Sequence, residues 1–345
     1  MAHPTPRRVA HAELFGMIAH TLGVNGFCEA AALPIARSIA ACERDEVPSH
    51  GLLRLPGFVE AVRTGWADGQ ALPTVISHSA SMLVQDAHNG FTHLALEQSK
   101  AQLAAMARET GSAILLIRNA HHFAALWPDI EEFAANGQIA FSCVTSRARV
   151  TAWNGGRPVF GTNASAFACP RAGALPIVWD QAASVMSQGD ILLAAREGKK
   201  LPAGVGVDAQ GLPTDDPDAV LKGGALQPFG GRKGASIAFM IEILASALSG
   251  SVFGFESPAK GTLPSKCGQF LMLIDPARAG ADGDANMDGR VEHLVQAVSA
   301  AGATRLPGAR RYAKRALAMA HGIALPEQAW QMFRELDAGA TASKG

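Results

Sequence analysis

Residues 112–123 read Ser112-Ala113-Ile114-Leu115-Leu116-Ile117-Arg118-Asn119-Ala120-His121-His122-Phe123. The unbroken apolar run from Ala113 to Ile117 describes a strand buried on both faces. It delivers the chain to Asn119, Ala120, His121 and His122, and strand ends are where layered α/β proteins place their sites. Upstream, Asn89–Thr110 carries Leu94, Leu96, Ala101, Leu103 and Ala104 for the buried side of a long helix. Downstream, the pattern predicts a helix over Pro128–Ala135 and strands over Ile139–Thr145 and Pro176–Trp179. A glycine-rich hairpin over Gly204–Gly211, a long helix over Gly234–Ala247 and a strand over Phe270–Ile274 complete the middle, with a short strand at Ser79–Gln85 before it.

Both ends read as helical. Two helices are expected over residues 10–45, broken at Gly23-Val24-Asn25-Gly26, and Leu53–Thr64 continues as helix with Pro56 in its first turn. Two more are expected over Gly308–His321 and Pro326–Leu336. The fold class is therefore α/β in two domains: a mainly helical one from residues 1–74 and 312–345, and an α/β one from 75–311.

The 345 residues are 48% hydrophobic, enough for a large core, and 30 basic residues balance 30 acidic ones. A chain with no net charge and no basic face does not bind nucleic acid by phosphate attraction. Cys28, Cys42, Cys143, Cys169 and Cys267 are widely spaced with no Cys-x-x-Cys pair, which is reduced, cytoplasmic usage. No signal peptide is expected, and the apolar run Ala235–Phe255 is interrupted by Glu242 and several glycines, so it reads as a buried helix plus turn and not as a membrane span. Asp282–Asp288 lacks the glutamate of a calcium loop and reads as surface loop.

Ser49-His50-Gly51-Leu52-Leu53-Arg54 places a histidine four residues ahead of an arginine. On one helical face these are a proton donor and a two-pronged carboxylate anchor. The competing reading is a helix start, with Ser49 capping, His50 packed and Arg54 solvated. No Gly-x-Gly-x-x-Gly fingerprint is present, since Gly204-Val205-Gly206 lacks the third glycine. Phe229-Gly230-Gly231-Arg232-Lys233-Gly234 and the Arg305–Tyr312 segment each combine glycine, positive charge and a helix start, which suits either phosphate or a solvated turn. His121 and His122 lack a third ligand at metal spacing, so no metal is expected. Phe160-Gly161-Thr162-Asn163 is turn-like, and Asp180 and Asp190 either orient a histidine or cap helices.

Taken in order, Ser49-His50-Gly51 with Arg54, Asn119–Leu126, Phe160–Asn163, Pro202-Ala203-Gly204, Phe229–Gly234 and Leu306–Arg311 resemble the malate/L-lactate dehydrogenase-like oxidoreductases over nearly the whole chain. Within that family the chain looks most like the bacterial Δ1-piperideine-2-carboxylate/Δ1-pyrroline-2-carboxylate reductases. The resemblance implies a dimeric, NAD(P)-dependent enzyme whose cofactor domain has a large mixed or antiparallel sheet in place of the Rossmann fold. It implies NADPH, with NADH as the alternative, and a cyclic imino acid or 2-oxo acid as substrate. It makes Ser49, His50 and Asp190 the catalytic set and puts Arg54, Thr162 and Gln188 on the substrate, Gln188 standing where a histidine is expected. Cofactor contacts are implied for His122, Phe123, Ala124, Ala125, Leu126, Asp180, Gln181, Ala182, Arg232, Lys233, Leu306, Pro307, Gly308, Arg310 and Arg311. The alternatives are a 2-hydroxy-acid dehydrogenase of the same family and a non-catalytic metabolite-binding protein.

Overall fold

A computed structural model describes residues 7–153, 155–258, 263–280 and 286–342. The chain runs β1 (Arg7–Val9), α1 (His11–Val24), α2 (Glu29–Arg44), two 3₁₀ turns (Pro48–His50, Leu52–Arg54) and α3 (Leu55–Arg63). Then come β2 (Thr74–His78), β3 (Met82–Asp86), α4 (Thr92–Thr110), β4 (Ser112–His122), α5 (Trp127–Ala135) and β5 (Ile139–Val144). β6 (Val150–Thr151), β7 (Pro158–Phe160), β8 (Ala164–Cys169), β9 (Ile177–Gln181) and α6 (Gln188–Arg196) follow. β10 (Gly206–Val207), β11 (Pro213–Thr214), α7 (Pro217–Leu221), β12 (Ala225–Leu226) and α8 (Arg232–Ile241) lead to a π-helical turn, Glu242–Ala247. β13 (Ser265–Ile274), α9 (Met287–Ala300), α10 (Ala309–His321), β14 (Ile323–Leu325) and α11 (Glu327–Ala342) end the chain.

The main sheet has seven strands in the order β2-β3-β4-β13-β5-β8-β9. β3 and β4 run parallel, and the other neighbouring pairs are antiparallel. A mixed sheet of this order has none of the repeated right-handed crossovers of a nucleotide-binding βαβ fold, which accounts for the missing glycine fingerprint. A smaller sheet, β11-β10-β12-β6-β7, stands beside it, and the predicted glycine hairpin is its β10–β11 pair.

β4 is buried because α4 and α5 cover one face, where Ala113, Leu115 and Ile117 join Leu103, Ala107, Leu126 and Ile130. α4 stops at Gly111, whose φ of 92° forms a left-handed cap that a side chain would strain. The strand extends beyond its expected end to His122 through a bulge: Cys267 pairs with Ala120 but Gln269 pairs with Ile117. Asn119 sits in that bulge at φ 49°, and the extra residue re-aims the two histidines. At the ends of the chain, β1 pairs with β14, and Leu14, Ile18, Ile35, Ile39, Phe58, Ile323 and Phe333 share one apolar cluster. The expected Asp282–Asp288 loop falls largely outside the described residues; its last residues are not loop, because Asn286 caps α9 by accepting from Gly289 N at 2.7 Å and the helix begins at Met287.

One core residue is costly. Asp129 on α5 is buried against β13, where Gln269 Nε2 donates to its Oδ2 at 3.3 Å. Burial pushes its pKa from 3.8 up to about 7. The folded chain therefore keeps a proton that the unfolded chain releases, and the resulting stability is lost as pH rises toward the folded value. Asp129→Asn is expected to gain stability on the wild type between about pH 4 and about pH 8, measured by urea unfolding. An unchanged difference across that range would contradict the assignment.

Candidate active site

A cavity of about 860 Å³ opens between the 3₁₀ turns, the β4–α5 junction, β9, α6 and the start of α10. That volume lies within the roughly 300–1,000 Å³ of small-molecule and cofactor sites. Ser49, His50, Arg54, His122, Phe123, Ala124, Ala125, Thr162, Asp180, Gln181, Ala182, Gln188, Asp190, Arg310 and Arg311 all line it.

His50 and Arg54 reach it by a route other than the expected helix. Pro48 starts one 3₁₀ turn ending at His50, Gly51 breaks it with ψ −135°, and Leu52–Arg54 forms a second before α3 begins with Pro56 in its first turn. Glu43 Oε1 accepts from Leu52 N at 2.6 Å, and a Cβ on Gly51 would collide with that carboxylate. The bland reading also fails for Arg54, which is 4% exposed with its guanidinium 4.3 Å above the Phe123 ring. Its enclosed Nε has no hydrogen-bond partner among the described residues. Burial lowers its pKa to about 10, and Asp190 opposes that shift.

Ser49 Oγ lies 3.0 Å from His50 Nδ1. Burial first, then the positive charges of Arg54 and His122, hold the His50 pKa down to about 3. His50 is therefore a neutral imidazole at neutral pH in the unliganded site, with its other nitrogen left for chemistry. Asp190 shares the cavity, but its hydrogen bonds go to Ser187: Ser187 Oγ donates to Asp190 Oδ2 at 2.8 Å and accepts from Asp190 N at 3.1 Å. Ser187 thus caps α6, and its hydroxyl holds the Asp190 carboxylate.

α6 presses Gly189 onto both turns. A Cβ there would stand 2.6 Å from Arg54 Nη2, 2.6 Å from Ser49 O and 2.9 Å from Ser49 Cβ. Gly189→Ala, otherwise favourable in a helix, is expected to destabilise by about 1–3 kcal/mol through overpacking. It should also raise the substrate KM by displacing Arg54; chemical denaturation and steady-state kinetics check the two effects.

Of the histidine pair only His122 lines the cavity. His121 is enclosed, its Nε2 3.0 Å from Asn89 Oδ1. His122 stacks on His93 with centroids 5.3 Å apart, and both its nitrogens are engaged, with Thr92 Oγ1 at 2.9 Å and Ala124 O at 3.0 Å. Asp180 spends its Oδ2 on Leu126 N (2.7 Å) and Trp127 N (3.0 Å), capping α5. Arg311 donates to Val178 O at 2.8 Å and lies over the Trp127 ring at 4.9 Å. α10 is fixed there by Arg315, which pairs with Asp45 at 2.7 Å and Glu131 at 2.8 Å.

Several expected residues do not line the cavity. Arg232 and Lys233 begin α8 but face solvent, and Leu126 is packed into the core. Leu306, Pro307 and Gly308 also lie outside the lining, with Gly308 seated against Val178. In their place the cavity takes Ser146, Arg147 and Arg149 from the loop after β5, together with Met186 and Ser265. No local pattern marks that loop in the sequence.

The malate/L-lactate dehydrogenase family model matches residues 9–334 of this chain. The chain belongs to that family. It is 44% identical over 331 residues to the Δ1-pyrroline-2-carboxylate/Δ1-piperideine-2-carboxylate reductase of Pseudomonas syringae pv. tomato, covering 95% of this chain and 96% of that protein. The solved structure of the Δ1-piperideine-2-carboxylate reductase from the same organism superimposes with a TM-score of 0.92 at 43% identity, covering 96% and 99% of the two chains. The (2R)-3-sulfolactate dehydrogenase (NADP(+)) of Chromohalobacter salexigens is 37% identical over 289 residues, 81% of this chain and 83% of that protein. The family is NAD(P)-dependent, and its two-domain α/β architecture with mixed sheets is the one described above. No helix among the described residues is long and apolar enough to cross a membrane.

Proposed function

We propose that this protein is an NADPH-dependent reductase of cyclic imino acids, converting Δ1-piperideine-2-carboxylate to L-pipecolate and Δ1-pyrroline-2-carboxylate to L-proline. The observation that carries this reading is the enclosed Arg54, a cation that lines the same cavity as His50 and whose Nε has no hydrogen-bond partner among the described residues. A buried guanidinium is costly unless an anion completes it, and a substrate carboxylate supplies a bidentate one. The 44% identity to a reductase of these two substrates points the same way.

A bound nicotinamide supplies the hydride. Arg54 holds the carboxylate and so decides which carbon faces the hydride, with the guanidinium seated over the Phe123 ring. Neutralising Arg54 also removes the second cause of the depressed His50 pKa, so the anionic substrate itself makes His50 easier to protonate. His50 then gives a proton to the substrate nitrogen, with Ser49 fixing its Nδ1 side. Asp190 opposes the positive charge of Arg54, and Thr162 and Gln188 face the substrate.

Arg310 and Arg311 at the head of α10 suit cofactor phosphates, and the NADP(+) named for the Chromohalobacter salexigens dehydrogenase supports NADPH over NADH. A homodimer is supported by the exposed apolar residues following α8, where Ile243, Leu248 and Phe255 are 47%, 50% and 60% exposed. Unpaired cysteines support the cytoplasm. We place the domain boundaries near residues 74 and 311, because the two ends of the chain pair β1 with β14 and supply most of one apolar cluster.

The neutral His50 favours a second reading, a 2-hydroxy-acid dehydrogenase in which the imidazole accepts a hydroxyl proton. The two readings are separated by following NADPH and NADH oxidation with both cyclic imines, pyruvate, oxaloacetate and glyoxylate. Turnover of the imines with NADPH preferred supports the proposal, and turnover of the open-chain acids alone overturns it.

A further inference from the structure

Part of the cavity wall comes from two loops with little regular structure, Thr145–Arg149 and Phe160–Asn163, and both are tied to one buried carboxylate. Glu242 lies in the π-helical turn after α8 and is 5% exposed. π-turns are rare and mark functional sites more often than chance. Asn163 Nδ2 donates to Glu242 Oε1 at 2.9 Å, and Gly254 N donates to Oε2 at 3.0 Å. Gly161 N also donates to the carboxylate.

The link then passes into the cavity. Asn163 Oδ1 accepts from Ser146 N at 3.2 Å, Ser146 Oγ accepts from Thr162 N at 3.1 Å, and the Ser146 and Thr162 hydroxyls meet at 3.3 Å. Gly254 O holds the same loop by accepting from Ala148 N at 2.8 Å. Packing leaves no slack: a Cβ on Gly254 would stand 2.8 Å from Glu242 Oε1, 2.7 Å from Ser146 O and 3.0 Å from Gly161 N.

We infer that Glu242 is a positioning residue for the active site, setting the Thr162 hydroxyl and the Ser146–Arg149 loop at their places in the cavity. It touches no ligand; it acts through Asn163, Gly161 and Gly254. The assignment of a ligand to that wall rests on the function proposed above, whereas the mechanical link does not. Both carboxylate oxygens accept from N–H donors, so an amide of the same shape must turn its own NH₂ toward one of them. The link therefore distinguishes glutamate from glutamine in a way that packing does not.

The test uses the full-length Glu242→Gln protein, with Asn163→Gly as a second variant. Glycine accepts the φ of 38° at that position and removes the link, together with the Asn163 Nδ2 bond to Ala238 O, while leaving Glu242 itself in place. Peptide-resolved amide exchange should speed up by about tenfold or more across 146–149 and 161–163 in both variants, with β4 and β13 unchanged. The KM for the imine should rise about tenfold with kcat within about threefold. Unchanged exchange in those two loops, or loss of protection spread evenly over the sheet, overturns the inference. If the wild type reduces no imine, the proposed substrate fails while the exchange result still decides the role of Glu242.

Discussion

Replacing His50 with alanine is expected to lower kcat about a thousandfold while the NADPH dissociation constant stays within about threefold. The size follows from the role: a positioned proton donor contributes about a hundred- to ten-thousandfold, and here no second acid replaces it. Asp190 is hydrogen-bonded to Ser187 Oγ at 2.8 Å, and both nitrogens of the neighbouring His122 are engaged by Thr92 and Ala124. Ser49→Ala removes the hydroxyl 3.0 Å from His50 Nδ1 and should cost about tenfold, because the ring loses orientation and not its proton. Single-turnover kinetics measure the first effect and cofactor fluorescence the second quantity. A His50 variant that loses NADPH binding with its residual turnover intact would place the histidine on the cofactor.

Arg54→Met is the second large effect. The KM for the imine should rise at least about a hundredfold, since a bidentate, desolvated guanidinium–carboxylate pair is lost. Stability should hold or improve, because methionine fills the space above Phe123 without leaving an enclosed Nε unpartnered. The same variant removes the second cause of the depressed His50 pKa, so that value should move upward from about 3 in an NMR titration of labelled histidine. No movement would mean burial alone sets it. Arg54→Lys should retain only part of the affinity, because an ammonium offers no planar fork.

The alternating α/β middle and the helical ends were readable because their cores are periodic. The run Ala113–Ile117 announced β4, and Pro56 in the first turn of α3 was expected and is there. β8 escaped because Ala164-Ser165-Ala166-Phe167-Ala168-Cys169 has no β-branched residue; its place in the sheet comes from pairing with β5 and β9. α6 escaped because Asp190 is read there without Ser187, whose side chain caps the helix by accepting from Asp190 N.

At the site, His50 and Arg54 were legible as a pair, but their geometry was not. Gly51 splits the segment into two 3₁₀ turns, and what holds the split is Glu43, nine residues from Leu52 in sequence. Arg232 and Lys233 carried a misleading signal: a glycine turn before a helix looks the same whether that helix faces a cavity or solvent. Arg147 and Arg149 carried no signal, since a loop without a motif acquires its role only from the sheet that brings it to the cavity Arg54 lines. Local pattern fixes elements; the mixed order of the seven strands decides which loops meet.

The most direct test is a crystal structure with oxidised cofactor and L-proline bound together. The carboxylate of the bound imino acid should form two hydrogen bonds with the Arg54 guanidinium, with its ring nitrogen at about 3 Å from His50 Nε2. A carboxylate held by Arg147 or Arg149, or a ring nitrogen out of reach of His50, would contradict the account.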